Sequence, residues 1–257
     1  MMSRWTLYHL SKCVLTSLFI SVFCLSIAHA ESLEQGAYVK GKEMFVKGHN
    51  SIPKIEIVNA PSDVDWKRHA MLHDGRTYRL YFFKKRSSDT LYQFGFNPQT
   101  KQYEYGYKSI PVISIVGKPR QASAKSIAML HDGRTFRLFM QDKRDPSTLH
   151  QFAFNPSNNR YEYGLNSIPQ IKVSGLPRNA DFKRWGMLHD GQVYRFYVGK
   201  RASSSVYQAG FNPAKSRYVF GFRSIPEMKI RKYFGGGIRD FSLLHDGRDF
   251  RLYIFKR

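Results

Sequence analysis

The sequence predicts an all-β fold built from four copies of one unit, and three observations carry that prediction. Ser-Ile-Pro recurs at Ser51, Ser109, Ser167 and Ser224. Leu-His-Asp-Gly recurs with its histidine at His73, His131, His189 and His245. After residue 30 the chain opens with the second half of such a unit and stops after a first half. Two fixed anchors at a period of about 58 residues mark a repeat architecture.

Each unit then resolves into strands. Residues 76–83, 134–140, 192–198 and 248–255 follow the four His-Asp-Gly motifs and alternate in the β manner. Asp-Gly ahead of such runs predicts a hairpin whose two central residues take positive φ. A second hairpin follows, with strands at 91–96 and 103–106 about a turn opening Asn97-Pro98. Four antiparallel strands per unit is the make-up of a propeller blade. The run 112–116 reads either as a further strand or as the crossing between blades.

The ends complete one another. Joined end to end, Lys256-Arg257 leads into residues 31–35, as each internal Lys-Arg pair leads into a Ser/Thr-rich link and a Leu/Val-x-Gln strand. A circularly offset start lets a closed ring pair its first and last strands within one blade and leave no open edge. The expected fold is one four-bladed β-propeller domain over residues 31–257, its N- and C-terminal strands sharing a blade. Another closed or paired β-arrangement of four units is the alternative. The blade number resembles the haemopexin-like architecture, but no motif of that family, of WD40 or of kelch repeats is found, and no function transfers.

Residues 1–30 read as a signal peptide: Arg4 and Lys12, an apolar run, then Ala28-His29-Ala30. The run is shorter than the roughly 20 residues a membrane span needs, and no later segment is comparably apolar. Both cysteines, Cys13 and Cys24, fall inside this segment, so the exported chain has no disulfide and no thiolate. That pattern fits the bacterial periplasm or secretion. Arg4 and Lys12 are the only charged residues removed, leaving 39 basic and 19 acidic residues from totals of 41 and 19. A net charge near +20 favours a polyanionic partner.

Strand connectivity sorts the turns. His-Asp-Gly and Asn-Pro turns lie at one end of every blade, Lys-Arg links and blade crossings at the other. Lys85-Arg86, Lys143-Arg144, Lys200-Arg201 and Lys256-Arg257 form a candidate seat for phosphate or sulfate groups. Arg79, Arg137, Arg195 and Arg251 each precede an aromatic by two residues, which puts the pair on one strand face. They read as buried, paired arginines or as a platform for sugar or nucleotide rings. Trp66 and Trp185 stand in basic segments of the first and third units, where symmetry is lost elsewhere.

The four histidines read as turn residues, because separate hairpin tips need not converge on a metal or haem. Gln35, Gln93, Gln151 and Gln208 recur between apolar residues and read as partners for buried backbone. Gly235-Gly236-Gly237 reads as a loose loop, since no helix pattern follows it.

No catalytic motif stands out, and every candidate residue occurs in near-identical copies. Neither a cofactor nor a metal is expected. The leading expectation is a lectin-like binding module for acidic polysaccharide, lipopolysaccharide or a related polyanion. A scaffold for an envelope protein partner comes second. A glycan-acting hydrolase or lyase using Glu104 or Glu162 comes third, and nucleic acid is the less favoured polyanion.

Overall fold

The computed structural model describes residues 31–230 and 241–256. Residues 1–30, expected from the sequence to be a signal peptide, lie outside the described residues, as do Gly235-Gly236-Gly237 and Arg257. Twenty strands there form one ring-like sheet.

The chain begins with β1 (Ser32–Val39), β2 (Met44–Lys47) and β3 (Lys54–Val58). The first full unit holds β4 (Val64–His73), β5 (Tyr78–Lys84), β6 (Thr90–Asn97), β7 (Gln102–Tyr105) and β8 (Val112–Val116). The second holds β9 (Ala122–His131), β10 (Phe136–Asp142), β11 (Thr148–Asn155), β12 (Arg160–Tyr163) and β13 (Gln170–Ser174). The third holds β14 (Ala180–His189), β15 (Tyr194–Lys200), β16 (Ser205–Asn212), β17 (Arg217–Phe220) and β18 (Glu227–Ile230). The chain ends with β19 (Phe241–His245) and β20 (Phe250–Lys256).

Strands β4 to β7 pair antiparallel in sequence order, and the same ladder recurs through β9 to β12 and β14 to β17. The chain ends build another: β19 pairs β20, β20 pairs β1 from Ser32↔Lys256 to Ala37↔Arg251, and β1 pairs β2. The expectation that the two ends share one ladder holds.

The run 112–116 is both of the things its sequence allowed. β8 lies antiparallel to β6 over Thr90–Tyr92, then parallel to β12 of the next unit. Strands β13, β18 and β3 repeat this bridging, the last from β1 to β7. Four parallel stitches therefore join the ladders into a closed cycle. Strands β4, β9, β14 and β19 pack against one another at its centre.

Closure explains the composition of the strands. Ala70 and Leu72 enter one core cluster while Met71 enters the neighbouring one; Tyr81 and Phe83 go one way, Leu80 and Phe82 the other. A strand covered on both faces needs apolar side chains at consecutive positions, not only at alternate ones. The four core clusters accordingly lie between units.

The excursion that carries Ser-Ile-Pro is pinched off by glutamine. Gln93 N–H donates to Pro111 O and Gly106 N–H donates to Gln93 O, with equivalents at Gln35, Gln151 and Gln208. The loop then folds across the sheet, so that a Cβ on Gly95 would lie 2.1 Å from the Tyr107 carbonyl oxygen. Only glycine admits that approach.

The hairpin after each histidine differs from the expected two-residue turn. His73 pairs Tyr78 across a four-residue connection, and of Asp74 and Gly75 only the glycine takes positive φ. Asp74 Oδ1 accepts from the backbone N–H of Arg76 (2.9 Å) and Thr77 (2.6 Å). The side chain therefore shapes the turn.

Candidate functional site

At the histidine end, His73, His131, His189 and His245 close the inner strands and surround one space of about 10 Å³. The tips come together because the inner strands pack side by side at the ring centre. Among the described residues, no group of three or more His, Cys, Asp or Glu is placed to hold a metal ion. Each imidazole rests on the aromatic that opens the next strand, His73 on Tyr78 at 4.6 Å and His131 on Phe136 at 5.1 Å. Nδ1 of His73 and of His245 accepts a turn glycine N–H at 3.3 Å. Burial pushes the pKa of His73 and His189 down; nearby aspartates oppose this and the facing histidines reinforce it.

The aspartate beside each histidine holds an arginine. Nε of Arg79, Arg137, Arg195 and Arg251 donates to Oδ2 of Asp74, Asp132, Asp190 and Asp246 at 2.6, 2.8, 2.5 and 2.8 Å. Nη1 continues to a carbonyl ahead of Ser-Ile-Pro, that of Lys108, Leu165 and Asn166, Arg223 or Asn50. Burial disfavours the charged aspartates, but two backbone N–H groups and the guanidinium outweigh it, and Asp246 falls to about 2. These arginines, candidates for ligand binding from the sequence, staple turn to loop.

Glu104 and Glu162 also act locally. Glu104 Oε1 accepts from Asn97 and Thr100, and Glu162 Oε1 from Asn155 and Asn158, which closes the Asn-Pro turns.

At the opposite end, Lys85, Arg86, Lys143, Arg144 and Arg201 are exposed. The four Lys-Arg pairs do not share one register. Lys85, Lys143 and Arg201 each donate a backbone N–H to the segment before an inner strand, at Asp63, Gln121 and Asn179. Lys200 thus stands one place earlier, at the end of β15, where its Nζ meets Glu227 at 3.0 Å. Lys256 ends β20 in the matching position.

The inner strands bulge at this end. β4 pairing skips from Asp65 to His69, β14 pairing from Asp181 to Trp185, and β9 pairing from Ala122 to Ile127. The Trp66-Lys67-Arg68 and Phe182-Lys183-Arg184 segments occupy equivalent bulges, as the sequence suggests. Arg68 is bound to Asp65 (2.7 Å) and lies over the Phe83 ring at 4.4 Å. Trp66 is half-buried against Phe82 at 4.8 Å. Trp185 is 3% exposed, and its Nε1 donates to Ser126 Oγ at 2.7 Å. Both tryptophans therefore pack into the core, Trp66 partly and Trp185 fully.

Between the bulges opens a cleft of about 1130 Å³ with Arg68, Lys118, Lys125, Lys143, Lys183 and Arg201 in its lining. Lys125, Lys143, Lys183 and Arg201 are exposed. The acids of the lining, Asp142 and Asp181, are already held, the first by His150 (3.0 Å) and the second by Arg184 (2.8 Å). Phe182 adds an aromatic wall. Sequence reasoning missed Lys118, Lys125 and Lys183 as site residues. A signal existed for two of them: Lys67, Lys125 and Lys183 each stand six residues before a repeat histidine.

No family model matches the chain, and no curated protein matches it. Among solved structures it is similar to AofleA from Arthrobotrys oligospora, with 10% identity, a TM-score of 0.37, and 83% of this chain against 60% of that one. It is also similar to the Cps50 (Swd1) β-propeller domain of Myceliophteria thermophila, with 7% identity, a TM-score of 0.29, and 78% against 58%. An auxiliary nutrient binding protein from Bacteroides ovatus matches at 11% identity and a TM-score of 0.30, with 79% against 50%. The chain spans about half to three fifths of the length of these proteins.

Proposed function

We propose that the chain is an exported, non-catalytic binding module of the bacterial envelope, a four-bladed β-propeller that takes an acidic polysaccharide or lipopolysaccharide in its basic cleft. The observation that carries the reading is the charge of that cleft: exposed cations converge from two neighbouring units, while of the lining acids Asp181 is paired with Arg184 and Asp142 is hydrogen-bonded to His150. Cations on separate strands, facing one groove, can engage successive anionic groups of a polymer at once. Lys85, Arg86 and Arg144 extend the same charge around the rim. The four antiparallel ladders and their four parallel stitches support the blade count. Near-identical copies of each polar motif, with Glu104 and Glu162 spent on turns, favour binding over catalysis.

The test is a titration of the exported protein with heparin and with lipopolysaccharide at low and high salt, beside a variant with Lys125, Lys143, Lys183 and Arg201 changed to serine. Binding should weaken steeply with salt, and the slope of log K against log salt should drop by about one per cation removed. No binding to either polymer at low salt, or binding unchanged in the variant, refutes the reading.

A further inference from the structure

Two further cavities lie at the seams between units, and they are copies of one another. The first, about 280 Å³, is lined by Arg79, Tyr81, Gln93 and Ser109 of one unit and by Phe136 and Phe154 of the next. The second, about 190 Å³, is lined by Arg251, Tyr253, Gln35 and Ser51 together with Tyr78 and Phe96. Each residue of one set has its repeat counterpart in the other, and the same polar positions recur in sequence as Gln151 and Ser167, and as Gln208 and Ser224.

Most polar groups in these seams are already satisfied. Arg79 is neutralised by Asp74, and Arg251 by Asp246 and by Asp249 at 3.2 Å. Gln35 Nε2 donates to the Tyr253 hydroxyl at 2.9 Å. The serine hydroxyls, and in the second seam the Tyr103 hydroxyl, are the exception. Ser51, Ser109, Ser167 and Ser224 each bury Oγ without a hydrogen-bond partner. One such orphan is a local defect; the same orphan in all four units is a property of the unit. A buried hydroxyl left unpaired is unfavourable, and a ligand hydroxyl would relieve it.

We propose that the seams are pockets for a single uncharged sugar ring, a site separate from the basic cleft. The aromatic pairs Phe136–Phe154 (5.7 Å) and Tyr78–Phe96 (5.9 Å) offer the apolar surface that the C–H face of a pyranose requires. The serine Oγ, with the Tyr103 hydroxyl in the second seam, offers the hydrogen bonds that its hydroxyls require. Charge selects against an acid, because each lining arginine is already matched by an aspartate. Lys108 in the first seam is replaced by Asn50 in the second, so the only cation common to both is the arginine already paired with aspartate. Volumes below the roughly 300–1,000 Å³ of drug-sized sites limit the occupant to one ring. Affinity per pocket should be about millimolar, and several pockets on one molecule give avidity for a surface that displays the sugar repeatedly.

The experiment is saturation-transfer NMR on the exported protein with the methyl glycosides of glucose, galactose, mannose, fucose and N-acetylglucosamine, and with methyl glucuronide as the acidic probe. At least one neutral glycoside should show transfer that is unchanged by raising salt and unchanged in the four-serine cleft variant. In a variant carrying Ser51→Ala, Ser109→Ala, Ser167→Ala and Ser224→Ala that transfer should fall about tenfold while the melting temperature holds or rises, since a buried unpartnered hydroxyl is unfavourable to the fold. In the wild-type protein, amide shifts on titration should fall on the Ser-Ile-Pro loops, a readout that needs no variant. Transfer from no neutral glycoside, transfer from the glucuronide alone, or shifts away from those loops overturns the proposal. Loss of heparin binding in the cleft variant leaves it standing.

Discussion

Replacing Asp132 with asparagine removes one charge while keeping the shape of its turn. Oδ1 still accepts from the N–H of Arg134 (2.9 Å) and Thr135 (2.7 Å), but the group facing Arg137 Nε at 2.8 Å becomes a donor. The two side chains are 3% and 13% exposed, so the guanidinium is left largely buried without its counter-ion. Breaking one partner of a buried pair is unfavourable by about 3–5 kcal/mol. Arg137 keeps the carbonyls of Leu165 and Asn166, which brings the expectation to about 2–3 kcal/mol. For a chain of this size that is a fall of roughly 5–10 °C in Tm. In Asp246→Asn, Arg251 retains Asp249 at 3.2 Å, but the Tyr78 hydroxyl at 2.9 Å also loses its charged acceptor, so a loss of similar size is expected. Urea unfolding followed by Trp66 and Trp185 fluorescence measures both, with stability read from the midpoint at constant slope. A loss below about 1 kcal/mol for Asp132→Asn would refute the view that these pairs are buried staples.

Gly95→Ala should unfold the first unit or displace its Ser-Ile-Pro loop, since the new Cβ meets backbone at 2.1 Å, whereas Gly75→Ala meets nothing within 4 Å and carries only the strain of φ +86, about 1 kcal/mol; circular dichroism melts of the two variants separate the cases. Tyr197→Phe removes the acceptor of Gln208 Nε2 at 2.8 Å and should lower stability by about 1 kcal/mol by urea unfolding, while Phe139 already occupies that place in the second unit. Acid should destabilise the fold in two stages. His73 and His189 have pKa values lowered on folding, so the unfolded chain takes up protons first and stability declines below about pH 6.5. Asp74, Asp132, Asp190 and Asp246 are also lowered, so their contribution stands above about pH 3.8 and is lost toward the value of about 2 held by Asp246. Tm measured from pH 7 to 3 should fall monotonically, and the first stage should be absent from a His73→Gln, His189→Gln variant; a rise in Tm on acidification would contradict the assignment.

The repeat, the hairpins within each unit and the sorting of turns between two ends were legible in the residues alone. Those properties rest on local chemistry: alternation within a strand, the φ that Gly75 takes, the cap that Asp74 forms with Arg76 and Thr77, all within a few residues of chain. The sequence also showed that Lys256 leads back to Ser32, because edge closure leaves its mark where the strands begin and end. Tertiary structure alone decided what meets between units. It brought Lys125, Lys143, Lys183 and Arg201 into one cleft, moved Lys200 out of register toward Glu227, and gathered four histidines around a single small space. It committed Arg79 and its counterparts to aspartate, and it gave 112–116 a pairing in each of two units. The physical reason is separation along the chain: partners some 58 residues apart are chosen by packing between neighbouring sheets, and spacing within one unit carries no record of that choice.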